Sequence, residues 1–68
     1  MKSESEKLGK NLKRIRIKKA ISQGDIARSL DVSRGFISNI ENGKTNPTLE
    51  TTARLAKAVG VSTNELLK

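Results

Sequence analysis

The chain contains no cysteine, histidine, tryptophan or tyrosine, and only one phenylalanine and one proline in 68 residues. Without cysteine there is no disulfide and no thiolate metal site, and without histidine the commonest catalytic base and metal ligand is missing too. Acids are few. Asp25, Asp31, Glu41, Glu50 and Glu65 are dispersed at caps and turns, and no residue set joins a nucleophile to a base, builds a metal cage or cradles a phosphate in a glycine loop. These absences argue against an enzyme and imply no cofactor and no metal. No apolar run reaches the roughly 18 residues that suggest a membrane span, and the polar stretch from Met1 to Lys7 has no signal-peptide core. A soluble, cytoplasmic protein is the default expectation. A domain of this length buries only about 60% of its unfolded surface, so every apolar stripe must count.

Positive charge is what the chain has in excess, with 14 Lys and Arg against 7 Asp and Glu for a net charge of +7. Lys7, Lys10, Lys13, Arg14, Arg16, Lys18 and Lys19 form one stretch without an acid. Such a concentration suits a polyanionic partner, although taken alone it fits a solvated helix flank equally well. A membrane-surface helix fits poorly. The stretch lacks Trp and a wide apolar sector, and its apolar stripe is needed to close a bundle.

The most informative segment runs from Gln23 to Glu41. Ile26, Ala27 and Leu30 recur at i, i+1 and i+4, one apolar stripe on a short helix over 23–30. Ser22 before it and Asp25 three residues on make a weak capping-box arrangement. Asp31 tolerates a left-handed backbone, Val32 supplies an apolar plug and Ser33 a second N-cap hydroxyl. A new helix then carries Ile37 and Ile40 inward, with Phe36 at the flank, and Asn42-Gly43 closes it. Ala27 is small where two steeply crossing helices must approach. Two short helices joined by a three-residue turn are built to place the second in a DNA groove, which moves the reading of the basic stretch toward nucleic acid.

The flanks complete an all-α plan of five helices and no strand. Residues 1–6 read as a tail and 7–68 as the domain. The first helix, over about 6–19, aligns Leu8, Leu12 and Ile15 and leaves Ile17 nearly opposite. The fourth follows Pro47, with Thr48 as N-cap, Glu50 in the first turn, Leu49, Ala53, Leu55, Ala56 and Val59 as the buried side, and Gly60 as the stop. Ser62 and Glu65 form an S-x-x-E capping box that opens a last helix bearing Leu66 and Leu67. The chain reads either as a whole small regulator or as the amino-terminal part of a longer one.

These residues resemble the lambda-repressor-like, Cro/CI-type (XRE) helix-turn-helix family over nearly the whole chain. The likeness is carried by L-x-x-x-L-x-x-I-R from Leu8 to Arg16, S-Q-x-D-I-A from Ser22 to Ala27, V-S-x-x-x-I-S-x-I-E-N-G-K-x-x-P from Val32 to Pro47, and L-A-K-A-V-G-V-S from Leu55 to Ser62. The resemblance implies a compact five-helix DNA-binding domain in which helices 2 and 3 form the helix-turn-helix. It also implies a sequence-specific regulator of transcription, a repressor, that binds a pseudo-palindromic operator in double-stranded DNA as a homodimer. The chain departs from the family where Asp31 holds a turn position usually given to Gly, where Ala20 replaces Gly at the end of the first helix, and where Thr52 stands in place of a frequent Leu.

In that geometry the outward positions of the third helix meet base edges: Arg34, Gly35, Ser38 and Asn39. Arg34 matches guanine O6 and N7, Asn39 matches adenine N6 and N7, and Gly35 lets the backbone come close at a helix-stability cost of about 1 kcal/mol. Gln23, at the start of the second helix, is the first phosphate candidate. The family resemblance adds Ser22, Ser33, Asn42 and Lys44 as backbone contacts, pairs Arg16 with Glu41 in a structural ion pair, and places Leu66 and Leu67 at a dimer interface. The competing reading is a protein-interaction module, such as the antitoxin of a toxin-antitoxin pair, using the same fold through another surface.

Overall fold

The computed structural model describes residues 4–68. Five helices follow one another as α1 (Glu4–Lys18), α2 (Gln23–Leu30), α3 (Arg34–Glu41), α4 (Leu49–Ala58) and α5 (Thr63–Leu67), and the described residues contain no strand. α1 starts two residues earlier than its apolar stripe suggests, with Glu4 and Glu6 in the first turn, where acids complement the helix dipole. Residues 4–6 are therefore helix rather than tail, and the rest of the expected tail lies outside the described residues.

One core joins all five elements. Leu8, Leu12 and Ile15 of α1 meet Ile26, Ala27 and Leu30 of α2, Ile37 and Ile40 of α3, Leu55 and Ala56 of α4 with Val59 just beyond it, and Leu66 of α5. α1 packs on α3 and α5, α2 on α3 and α4, and α4 on α5. Two expectations for α4 fail. Leu49 is 81% exposed and Ala53 is exposed, while Thr52 is buried. The helix turns its Thr52-Leu55-Ala56 side inward, and the Thr52 hydroxyl donates to the Thr48 carbonyl at 2.9 Å. A buried hydroxyl is tolerated because the preceding turn accepts its proton.

The helices stop in one repeated way. After α1, α2, α3 and α4 the chain turns left-handed at Ala20, Asp31, Gly43 and Gly60. In each case a pair of backbone bonds closes the end: Ile21 N to Arg16 O and Ala20 N to Ile17 O after α1, and Val32 N to Ala27 O and Asp31 N to Arg28 O after α2. Lys44 N to Asn39 O and Gly43 N to Ile40 O repeat the pattern after α3, as do Val61 N to Ala56 O and Gly60 N to Lys57 O after α4. This is the Schellman closure, and the partly buried Ile21, Val32 and Val61 supply its usual apolar contact at three of the four ends.

The starts are less uniform. Ser22 accepts from Asp25 N while the Asp25 carboxylate accepts from Ser22 N, a complete capping box, and Ser33 and Thr48 cap α3 and α4 through their hydroxyls. Ser62, whose spacing to Glu65 promised the better box, makes no side-chain cap bond; Glu65 instead accepts from Lys68 Nζ at 3.0 Å.

Gly9 decides how closely α1 and α3 approach. A Cβ there would stand 2.3 Å from the Ile40 carbonyl oxygen and 2.8 Å from that of Glu41, both fixed backbone. Two substitutions of opposite sign test this frame by thermal melting. Gly9→Ala is expected to destabilise by about 1–3 kcal/mol through overpacking, whereas Ala20→Gly, which removes a β-carbon from a φ of 58°, is expected to stabilise by about 1 kcal/mol. A Gly9→Ala protein that melts like the parent would refute the close approach.

Candidate nucleic-acid interface

α3 has two unlike sides. Ile37, Ile40 and Glu41 are buried. Arg34, Gly35 and Asn39 are exposed on the other side, with Ser38 half-buried and its Oγ accepting from Asn42 Nδ2 at 3.4 Å. The helix is short enough that its polar positions at i, i+1, i+4 and i+5 form one patch. The patch carries a guanidinium, a hydroxyl and an amide, and no acid.

Ser33 and Ser22 use their hydroxyl oxygens as caps, accepting from Phe36 N and Asp25 N at 3.0 Å each, and both residues are exposed. Each hydroxyl keeps its own proton available to donate outward. Asn42 and Lys44, just after α3, are exposed as well. The Ser22 backbone N–H first, then the Ser22 side chain and the Arg28 guanidinium, hold the Asp25 carboxyl below its usual 3.8. It is exposed and paired with Arg28.

Beneath this surface lies a polar knot. Arg16 Nε donates to Glu41 Oε2 at 2.6 Å and Arg16 Nη2 to Oε1 at 3.1 Å, a bidentate pair whose side chains are 14% and 2% exposed. Arg16 Nη1 donates to the Ile21 carbonyl at 3.0 Å, and Gln23 Nε2 donates to Glu41 Oε1 at 3.0 Å. The knot thus ties the end of α1, the α1–α2 turn, the first residue of α2 and the last residue of α3. An amide nitrogen has two protons, so the bond to Glu41 uses one of the two that Gln23 carries. Sequence reasoning placed Gln23 and Glu41 in separate roles; they stand 18 residues apart, and no local periodicity signals their contact.

The basic stretch divides into two groups. Arg16 is used in the knot, and Lys19 Nζ donates to the carbonyls of Val59 at 2.8 Å and Gly60 at 3.3 Å, closing the end of α4. Lys7, Lys10, Lys13, Arg14 and Lys18 are exposed, as is Ile17 on the same helix at 58%. Arg54 also has a structural task, donating from Nη2 to the Leu30 carbonyl at 2.8 Å, which pins α4 to the end of α2. Leu66 is fully buried in its own domain, so it is core and not an interface residue; Leu67 is 46% exposed. Among the described residues no group of three or more acidic, histidine or cysteine side chains could hold a metal ion, and no helix is long and apolar enough to cross a membrane.

A family model for the helix-turn-helix domain matches residues 9–68. The chain belongs to the Cro/CI-type (XRE) helix-turn-helix family. It is similar to the HTH-type transcriptional regulator DdrOP3 of Deinococcus deserti, 36% identical over 62 residues that make up 91% of this chain and 48% of that protein. The chain therefore spans about half the length of that relative. Among solved structures it is similar to the clp gene regulator ClgR from C. glutamicum, with a TM-score of 0.94, 28% identity, and 98% and 87% of the two chains covered. It is also similar to the restriction-modification controller protein C.Esp1396I, solved as a tetramer with its natural 35 base-pair operator, with a TM-score of 0.81, 28% identity and full coverage of both chains.

The knot gives the sharpest stability test. Glu41→Ala would leave the Arg16 guanidinium, 14% exposed, without its anion, and is expected to cost about 3 kcal/mol or more in a thermal or urea melt. Replacing both partners by apolar residues of similar size is expected to recover much of that loss. An unchanged melt for Glu41→Ala would remove the pair from the account of stability.

Proposed function

We propose that this chain is a sequence-specific regulator of transcription, acting as a repressor, that binds a pseudo-palindromic operator in double-stranded DNA as a homodimer with α3 in the major groove. The observation that carries this reading is the acid-free outer side of α3, where Arg34, Gly35, Ser38 and Asn39 stand together while its other side is locked into the core. The likeness to C.Esp1396I, which was solved on its operator, supports it.

In this reading Arg34 pairs with guanine, Asn39 with adenine and Ser38 with either strand. Ser22, Ser33, Asn42 and Lys44 bind phosphates, and so does Gln23 through the N–H that Glu41 leaves unused. These contacts fix register without reading sequence. The five outward cations of α1 add long-range attraction that weakens with salt. Leu67 lies at a cleft of about 150 Å³ with Glu4, Lys7 and Leu8, the place for a partner subunit to cover. No catalytic role is assigned to any residue.

Random-site selection at two salt concentrations tests the reading. An inverted repeat with half-sites about one helical turn apart is the expected product, and failure to enrich any sequence would overturn it. On the selected site, Arg34→Ala is expected to relax preference at one position by about 1–3 kcal/mol, while Lys44→Ala weakens all sites alike and lowers the salt slope by about 1. Equal, sequence-independent losses for both variants would remove Arg34 from base reading.

A further inference from the structure

The five glycines of the chain fall into two classes. Gly9 is required by the backbone that faces it, and Gly43 and Gly60 by φ angles of 71° and 74°. Gly24 and Gly35 meet no such demand. Both are helical. A Cβ on Gly35 would come no nearer than 3.9 Å to any neighbour, the Ser33 Oγ, and one on Gly24 would meet only the movable tip of Arg28 at 3.4 Å and the Ser22 Oγ at 3.7 Å. Each lowers helix stability relative to alanine, in a domain whose core is small.

Their placement is parallel. Gly24 is the second residue of α2, behind Gln23, and Gly35 is the second residue of α3, behind Arg34, in the matching frames Ser22-Gln23-Gly24 and Ser33-Arg34-Gly35. We infer that Gly24 and Gly35 are clearance positions, kept bare so that the DNA surface rests on the backbone of both helices while Gln23 and Arg34 reach past it. The inference rests on the DNA-binding reading above and names two residues that set its fit by shape rather than by hydrogen bonding. A methyl group at either point occupies the space the duplex needs, so stability and binding pull in opposite directions there.

The test uses Gly24→Ala, Gly35→Ala and the double variant, with Ser29→Ala on the exposed side of α2 as a control. Thermal midpoint and affinity for the selected operator at fixed salt are measured for each. The expected result is a midpoint raised by about 2–5 °C per substitution, together with an affinity lowered about tenfold for each glycine and little changed for the control. Affinities within twofold of the parent would overturn the inference, and so would a lowered midpoint, which would show that the fold itself needs the glycines. If the unaltered protein selects no operator, the DNA-binding reading fails; if it does and the alanine variants match it, only the assignment of the glycines fails.

Discussion

The bidentate contact between Arg16 and Glu41 is the constraint on which the rest of this small molecule depends. Both side chains are almost withdrawn from water, and each charge is compensated by the other and by further bonds from Gln23 and to Ile21 O. A buried ion pair is weak evidence for net stability, since desolvation offsets most of its attraction. Its value here is geometric. Three of the five helices converge on one carboxylate, so the angle between α2 and α3 and the seat of α1 across them are fixed by hydrogen-bond directions that apolar contacts alone would leave loose. Gly9 makes this possible, because α1 can bring Arg16 to Glu41 only while its own backbone lies against the last turn of α3.

Around that knot the chain uses the same few devices again. Four helices end on a left-handed residue with a paired backbone closure, and three begin with a hydroxyl cap. Repetition suits a domain this small: no buried side-chain polar atom among the described residues lacks a partner. Cations take part in the same work. Lys19 and Arg54, both exposed, close the ends of α4 and α2 by donating to their last carbonyls from other elements, so positive charge at the surface also holds the fold together.

Much of this was legible in the sequence because it depends on local spacing. The α2 and α3 boundaries, the left-handed Asp31, the caps at Ser22, Ser33 and Thr48, and the buried stripes of α1 to α3 follow from periodicity and turn chemistry. The misreadings come where two local rules compete or a distant element decides. An apolar Leu49 reads as inward, yet it stands exposed at the first position of α4, and Thr52 takes the inward position instead. At Ser62 the box does not form: the Glu65 N–H donates to the Ser62 carbonyl and the Glu65 carboxylate accepts from Lys68. Leu66 and Leu67 look alike in sequence, and only the packing of α5 on α1, where Asn11 Nδ2 donates to the Leu66 carbonyl at 2.8 Å, separates core from surface.

The same distinction explains why the outer side of α3 was easier to define than its surroundings. Its polar positions are fixed by subtraction: once Ile37, Ile40 and Glu41 turn inward, helical geometry leaves Arg34, Gly35, Ser38 and Asn39 nowhere else to point. Phosphate-binding candidates carry no such guarantee. Gln23 is pulled partly inward by Glu41, and Ser22 and Ser33 already hold helix starts, so each has a structural task that any contact with DNA must leave intact. The chemistry allows this, because an amide nitrogen and a hydroxyl have donor capacity beyond the bond each makes within the fold. Residues that hold the helix-turn-helix together therefore keep donor capacity beyond their structural bonds, and the fold fixes where those donors stand.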